Sequence, residues 1–140
     1  MNNKMSLQFD ARSENEQFAR TAVASFITYL DPTVETITDI KTAVSEAVTN
    51  CIVHGYKNKN GTVLLDCEVR ENVLHIKITD CGVGIADLNT VMQPFYTSKP
   101  LEERAGMGFT IMKTFMDSFE IQSKLNVGTT VLMSKSVKSA

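Results

Sequence analysis

At 140 residues, with 43% hydrophobic and 21% charged side chains, the chain is long enough to bury a two-layer core without metal or disulfide staples, and one domain over 1–140 is expected. Its formal net charge of -2 gives no electrostatic case for direct nucleic-acid binding. Polar residues break every apolar stretch before it reaches the length of a spanning helix or a secretory signal, and the three cysteines, Cys51, Cys67 and Cys81, form no CxxC pair, so a cytoplasmic protein with reduced core cysteines is expected.

The segment MSLQFDA places Met5, Leu7 and Phe9 at alternate positions and predicts a half-buried strand. Ser13 and Glu16 then have capping-box spacing ahead of Phe18, Ala19, Ala22, Val23, Phe26, Ile27 and Leu30, which recur with helical period. The polar face of this helix carries Glu16, Arg20 and Ser25, and Arg20 is a candidate partner contact. Asp31-Pro32 ends it, and Ile37, Ile40, Val44, Ala47, Val48, Cys51 and Ile52 mark a second helix to about His54, with Gly55 as its C-terminal stop. Thr62–Arg70 and Val73–Asp80 read as two strands joined by a two-residue turn at Glu71-Asn72, an antiparallel hairpin. Periodicity fades over 86–105, where QPFYTSKPLEERA reads as a long functional loop. A helix over about 108–116 and strands over 119–125 and 129–134 follow. Such a series fits the α+β class: a two-layer sandwich with a mixed, mostly antiparallel sheet, helices on one face and water on the other.

Three polar clusters interrupt this apolar pattern. In EAVTN, Glu46 and Asn50 are i and i+4 on the second helix and can meet a common ligand, in line with Thr42 and His54. In DCGVGI, Asp80 ends a strand and Gly82 and Gly84 let the backbone turn and approach a ligand closely. In RAGMGF, Gly106 and Gly108 stand where the long loop enters a helix, whose free N–H groups suit phosphate. Asp80, as a carboxylate, only accepts hydrogen bonds, which matches the exocyclic amino group of adenine and repels the carbonyl of guanine. The chain has no Walker A sequence and no phosphoacceptor-histidine helix pair; its two histidines, His54 and His75, read as structural.

In this order, SEAVTNCIVHGY, DCGVGI and ERAGMGF resemble the N, G1 and G2 boxes of the gyrase, heat-shock-chaperone, histidine-kinase and mismatch-repair ATPase superfamily. Within it, the length and the whole-chain pattern, including LQFDARSENEQFAR and GFTIMKTFMD, are similar to the anti-sigma-F family of serine kinases from endospore-forming bacteria. This resemblance implies a histidine-kinase-like ATPase fold that binds ATP or ADP with Mg2+. Asn50 then supplies the metal ligand and Glu46 the general base. Gly82 and Gly84 let the backbone pass under the nucleotide, while Gly106 and Gly108 form the phosphate-facing end of a lid over roughly 94–105. Lys99 and Arg104 are the lid's phosphate-contacting cations, with Arg104 assisting transfer. A hydroxyl on the last strand supports Asp80; Thr130 is the candidate, with Thr129 the alternative. The implied partners are an RNA polymerase sigma factor (sigma-F), an anti-anti-sigma factor phosphorylated on serine, and a second copy of the chain paired through residues 5–10. The alternative is a nucleotide-gated binding module of a related general-stress system with little kinase activity.

Overall fold

Apolar residues at every second position turn one face of a five-stranded sheet into a floor for three helices. The computed structural model describes residues 2–85 and 108–140. The elements are β1 (Asn3–Asp10), α1 (Glu14–Phe26), α2 (Val34–Asn50), β2 (Thr62–Arg70), β3 (Val73–Asp80), α3 (Gly108–Phe115), β4 (Ser118–Lys124) and β5 (Gly128–Ser136). Strand order is β1-β2-β3-β5-β4, and every described pairing is antiparallel. The expected α+β sandwich is present, and among the described residues its sheet contains no parallel pair.

Val63, Leu65, Cys67 and Val69 of β2, Leu74, Ile76 and Ile78 of β3, and Val131 and Met133 of β5 are buried with the helices. Their alternates, such as Glu68, His75, Lys77 and Glu120, lie on the opposite face. The β2–β3 hairpin turns at Glu71 and Asn72, both at positive φ (51° and 64°), as a tight two-residue connection requires. Helix α2 packs between α1 and α3 and carries the densest run of buried residues, Ala43 to Val48. Among the described residues, no helix is long and apolar enough to cross a membrane.

Three expectations need correction. The capping box at Ser13 does not form, because Ser13 is itself helical (φ −59°, ψ −34°) and its hydroxyl cannot swing over the first amides. The Ser13 carbonyl accepts Glu16 N–H instead, and Glu16 pairs with Arg20 at 3.7 Å. Thr33, by contrast, is extended and caps α2 through Thr36 N–H at 3.1 Å. Gly55 does not stop α2 by a left-handed turn; the helix widens into a π turn over Cys51–Gly55, closed by Tyr56 N–H to Cys51 carbonyl at 2.9 Å. Of the three cysteines, Cys81 is exposed rather than in the core.

Lys135 of β5 ties the layers together. Its ammonium donates to the Phe115 carbonyl at the end of α3 (2.7 Å) and lies 3.5 Å from the Asp39 carboxylate of α2. Lys135→Ala leaves both acceptors without this partner in a site that is largely shielded from water. A stability loss of about 1–3 kcal/mol is expected, read as a lower urea midpoint with unchanged m value.

Candidate functional site

The site is assembled from the C-terminal half of α2, the end of β3 and the start of α3. Glu46 is 2% exposed, so it is not a solvated helix residue, and Asn50 is half-buried one turn further on. A Cβ built on Gly108 would lie 3.1 Å from Asn50 Nδ2, 3.3 Å from Asn50 Oδ1 and 3.4 Å from Glu46 Oε2. The first turn of α3 therefore sits directly on the Glu46–Asn50 edge. Carboxylate, carboxamide and the amide end of a helix converge there, which is the donor and acceptor set needed for a metal-bound phosphate and a nearby hydroxyl.

The second half of the site is organised around Asp80, 4% exposed. Its Oδ1 accepts Gly82 N–H at 2.9 Å. The amides on either side are also bonded: Cys81 N–H donates to the Tyr56 hydroxyl at 2.7 Å and Val83 N–H to the Gly55 carbonyl at 2.9 Å. The turn after β3 is thus fastened to the end of α2 through the Cys81 and Val83 amides, while the Gly82 amide between them closes on Asp80 itself. A Cβ on Gly55 would come within 2.8 Å of Asp80 Oδ2, and a Cβ on Gly82 would overlap the Gly55 carbonyl oxygen, so this approach excludes any side chain at either position. Gly84 has φ +72°, which favours glycine, and its Cα faces the Lys124 carbonyl across the sheet end.

Burial pushes the Asp80 carboxyl up from its ordinary value. Hydrogen bonds from the Gly82 backbone, the Cys51 thiol and the Thr129 backbone oppose that shift. The structure corrects the expectation for Thr130. Thr130 pairs with Thr79 in the β3–β5 register and its hydroxyl lies 3.4 Å from that of Thr79, on the open face of the sheet. Thr129 pairs with Asp80 and shares its face, because side chains alternate along a strand. Its hydroxyl meets Ser123 Oγ at 2.7 Å, and Ser123 Oγ also accepts Ile85 N–H at 2.8 Å. Lys99, Arg104 and Gly106, with the expected lid over 94–105, lie outside the described residues.

Sequence reading missed Tyr56, Ser123, Gly128 and the contact role of Cys51. The Tyr56 hydroxyl bridges Cys81 N–H and the Thr62 carbonyl (2.6 Å), partners that no local spacing brings together. Gly128, at φ +144°, lies against the Asp80 carbonyl; its place in the NVGTT turn is the one local signal for it. Among the described residues no group of three or more His, Cys, Asp or Glu side chains forms a metal cage.

A helical layer carrying Glu and Asn, over a sheet whose central strand ends in a buried Asp beside a glycine turn, defines a nucleotide-binding domain of the histidine-kinase type. The family description "Histidine kinase-like ATPase domain" matches residues 9–135. Solved structures share the fold: the RsbU and RsbW domains of Rv1364c from Mycobacterium tuberculosis superpose with TM-score 0.70 at 17% identity, over 96% of this chain and 32% of that one. The catalytic domain of histidine kinase ThkA gives 0.59 at 14% identity, over 95% and 96% of the two chains. Sequence relatives are more specific. An anti-sigma F factor of Geobacillus thermodenitrificans is 52% identical over 98% of this chain and 94% of its own, and one of Clostridium perfringens is 52% identical over 99% and 100%. The chain belongs to the anti-sigma F factor family, within the histidine-kinase-like ATPases.

The raised Asp80 carboxyl has a signed consequence for stability. Asp80 binds its proton more tightly folded than unfolded, so its contribution is most favourable at low pH and is lost as pH rises through the raised value. The stability of the wild type relative to Asp80→Asn is therefore expected to fall as pH rises from the ordinary carboxylate range, measured by urea unfolding at successive pH values. A difference that is flat in pH would contradict the burial effect.

Proposed function

We propose that this chain is a cytoplasmic anti-sigma factor that sequesters a sporulation sigma factor of RNA polymerase and phosphorylates a serine of its anti-anti-sigma factor with ATP. The observation that carries the reading is the buried Glu46 carboxylate beside Asn50 and the first turn of α3. Identity above 50% to anti-sigma F factors over nearly the whole chain supports the partner assignments. In this reading the whole chain, 1–140, works as one ATP-binding unit.

Asp80 accepts from the amino group of adenine, held by Gly82 and Thr129 on one side and by Gly55 packed close on the other. Gly84 completes the turn beneath the base. Asn50 and Gly108 face the phosphates, the first through its carboxamide oxygen and the second through the amide end of α3. Asn50 fits a Mg2+ ligand: it is a neutral oxygen donor at a helix end, with no acidic cage among the described residues, as suits an ion that keeps most of its shell from phosphate and water. When bound with ATP, Mg2+ would neutralise charge on the phosphates. Glu46 takes the proton of the attacking serine hydroxyl, and its burial keeps it dry and fixed for that role. Lys99, Arg104 and Gly106 complete the phosphate side, with Arg104 countering charge in the transition state. β1 is an edge strand of the sheet, and its free edge over residues 5–10 is the proposed seam of a homodimer. Arg20 lies on the outer side of α1, paired only loosely with Glu16, and offers a cation to a protein partner.

Glu46→Gln is expected to lower serine phosphorylation at least about 100-fold while ATP affinity changes little, in an assay with labelled ATP, Mg2+ and the anti-anti-sigma partner. Transfer at the wild-type rate would remove the base assignment. Absence of transfer in the wild type, with ATP-dependent capture of a sigma factor retained, would instead leave a nucleotide-gated binding module. Arg20→Glu is expected to weaken partner binding in calorimetry with ATP affinity unchanged; equal partner affinity would exclude that face.

A further inference from the structure

We infer that Ser123 is a positioning residue for base selection: it accepts the hydrogen bond of the Thr129 hydroxyl, so that Thr129 is left beside Asp80 as an acceptor only. The inference rests on the reading of Asp80 as the adenine acceptor. Its geometry comes from the sheet register. On the helix-facing side, β3, β5 and β4 align Ile76 with Met133 and Phe119, then Ile78 with Val131 and Ile121. The next row in the same register is Asp80, Thr129 and Ser123. Apolar rows thus give way to a wholly polar one at the end of the sheet where the glycine turn begins. Ser123 is the member of that row furthest from Asp80, and it reaches the base side through Thr129.

The direction of the bond between the two hydroxyls follows from counting protons. A hydroxyl has one proton to give and two lone pairs to accept with. Ser123 gives its proton to the Gly128 carbonyl at 3.0 Å, which can only accept. It takes the Ile85 N–H, which can only donate, on one lone pair at 2.8 Å. The Thr129 hydroxyl, 2.7 Å away, meets the lone pair that remains and is therefore the donor. Ser123 is then saturated. Among the described residues the Thr129 hydroxyl has no other partner, so it keeps its lone pairs for a ligand. An exocyclic amino group carries two N–H donors, and Asp80 and Thr129, on paired strands, offer it two acceptors. A 6-oxo purine places a carbonyl oxygen there and finds a donor from neither side chain. Ser123 thus adds to the preference for adenine without touching the base.

Calorimetry with ATP and with inosine triphosphate, which differ only at the purine 6-position and N1, is the measurement, with Mg2+ present and nucleotide-free melting of each variant as the check on folding. Ser123→Ala releases the Thr129 proton. Inosine triphosphate is then expected to bind about three- to tenfold more tightly than to wild type, while ATP weakens by no more than about threefold. A residue that only held the turn would weaken both together. Ser123→Thr keeps the hydroxyl and is expected to stay within about twofold of wild type for both nucleotides. Adding Thr129→Val to Ser123→Ala is expected to abolish the gain. Thr129→Val alone is expected to weaken ATP by about threefold or more and to leave inosine triphosphate within about twofold. Equal weakening of both nucleotides in Ser123→Ala, or a gain that survives in the double variant, would overturn the inference. So would Thr129→Val weakening inosine triphosphate more than ATP, an outcome that decides the matter even if Ser123→Ala does not fold. If Asp80→Asn leaves the preference for ATP intact, the adenine reading itself fails, and with it the premise.

Discussion

The nucleotide-binding end is built on a close approach between an acid and a helix backbone: Asp80, at the last position of β3, lies against Gly55, where a Cβ would come within 2.8 Å of its carboxylate. Three amides of the following turn are tied down around it, to Tyr56, to Asp80 itself and to Gly55. Such a buried carboxyl is held at a cost in desolvation, which its hydrogen bonds only partly offset. The glycine turn after β3 takes its position from this junction. The junction fixes where β3 meets the end of α2, and hence how far Asn50 and Glu46, roughly one and two turns back along α2, stand from Asp80.

The packing of α2 translates that junction into a catalytic geometry. Its buried run from Ala43 to Val48 sits between α1 and α3, so the helix cannot rotate to expose Glu46 without displacing Val44 and Val48 from the core. On its other flank, α3 enters with Gly108 against the Glu46–Asn50 edge, where a larger residue would press on both side chains. Lys135 anchors the far end of α3 to α2 and β5. The active-site end of α3 is thus positioned by glycine and its opposite end by a shielded cation. This arrangement is consistent with a site whose groups are held before any ligand arrives, as electrostatic phosphate transfer requires.

The outer surfaces divide the remaining work. Alternation along the strands leaves a polar open face and two edge strands, β1 and β4. In the proposed reading the β1 edge serves the second copy of the chain and the outer side of α1 serves the partner proteins, so neither intrudes on the nucleotide. The exposed Cys81 and the buried Cys51 and Cys67 show how little residue type alone says about location in this chain.

Elements with a strong period were legible from the residues. Alternation in β2 and β3 with Glu71-Asn72 between them, and the apolar spacing of α2, are local properties, because side-chain direction follows directly from two- or 3.6-residue geometry. The order of the EAVTN, DCGVGI and RAGMGF motifs likewise pointed to the ATPase family before any contact was known. The hydroxyl beside Asp80 could not be chosen that way, since adjacent threonines differ only in which face they meet, and that face was decided by the pairing of Asp80 with Thr129. The same holds for Cys51, Gly55 and Tyr56. The sequence by itself determined the elements and the family, whereas tertiary structure alone decided which polar groups touch, because those contacts join residues some 25 or more positions apart, beyond the reach of any local period.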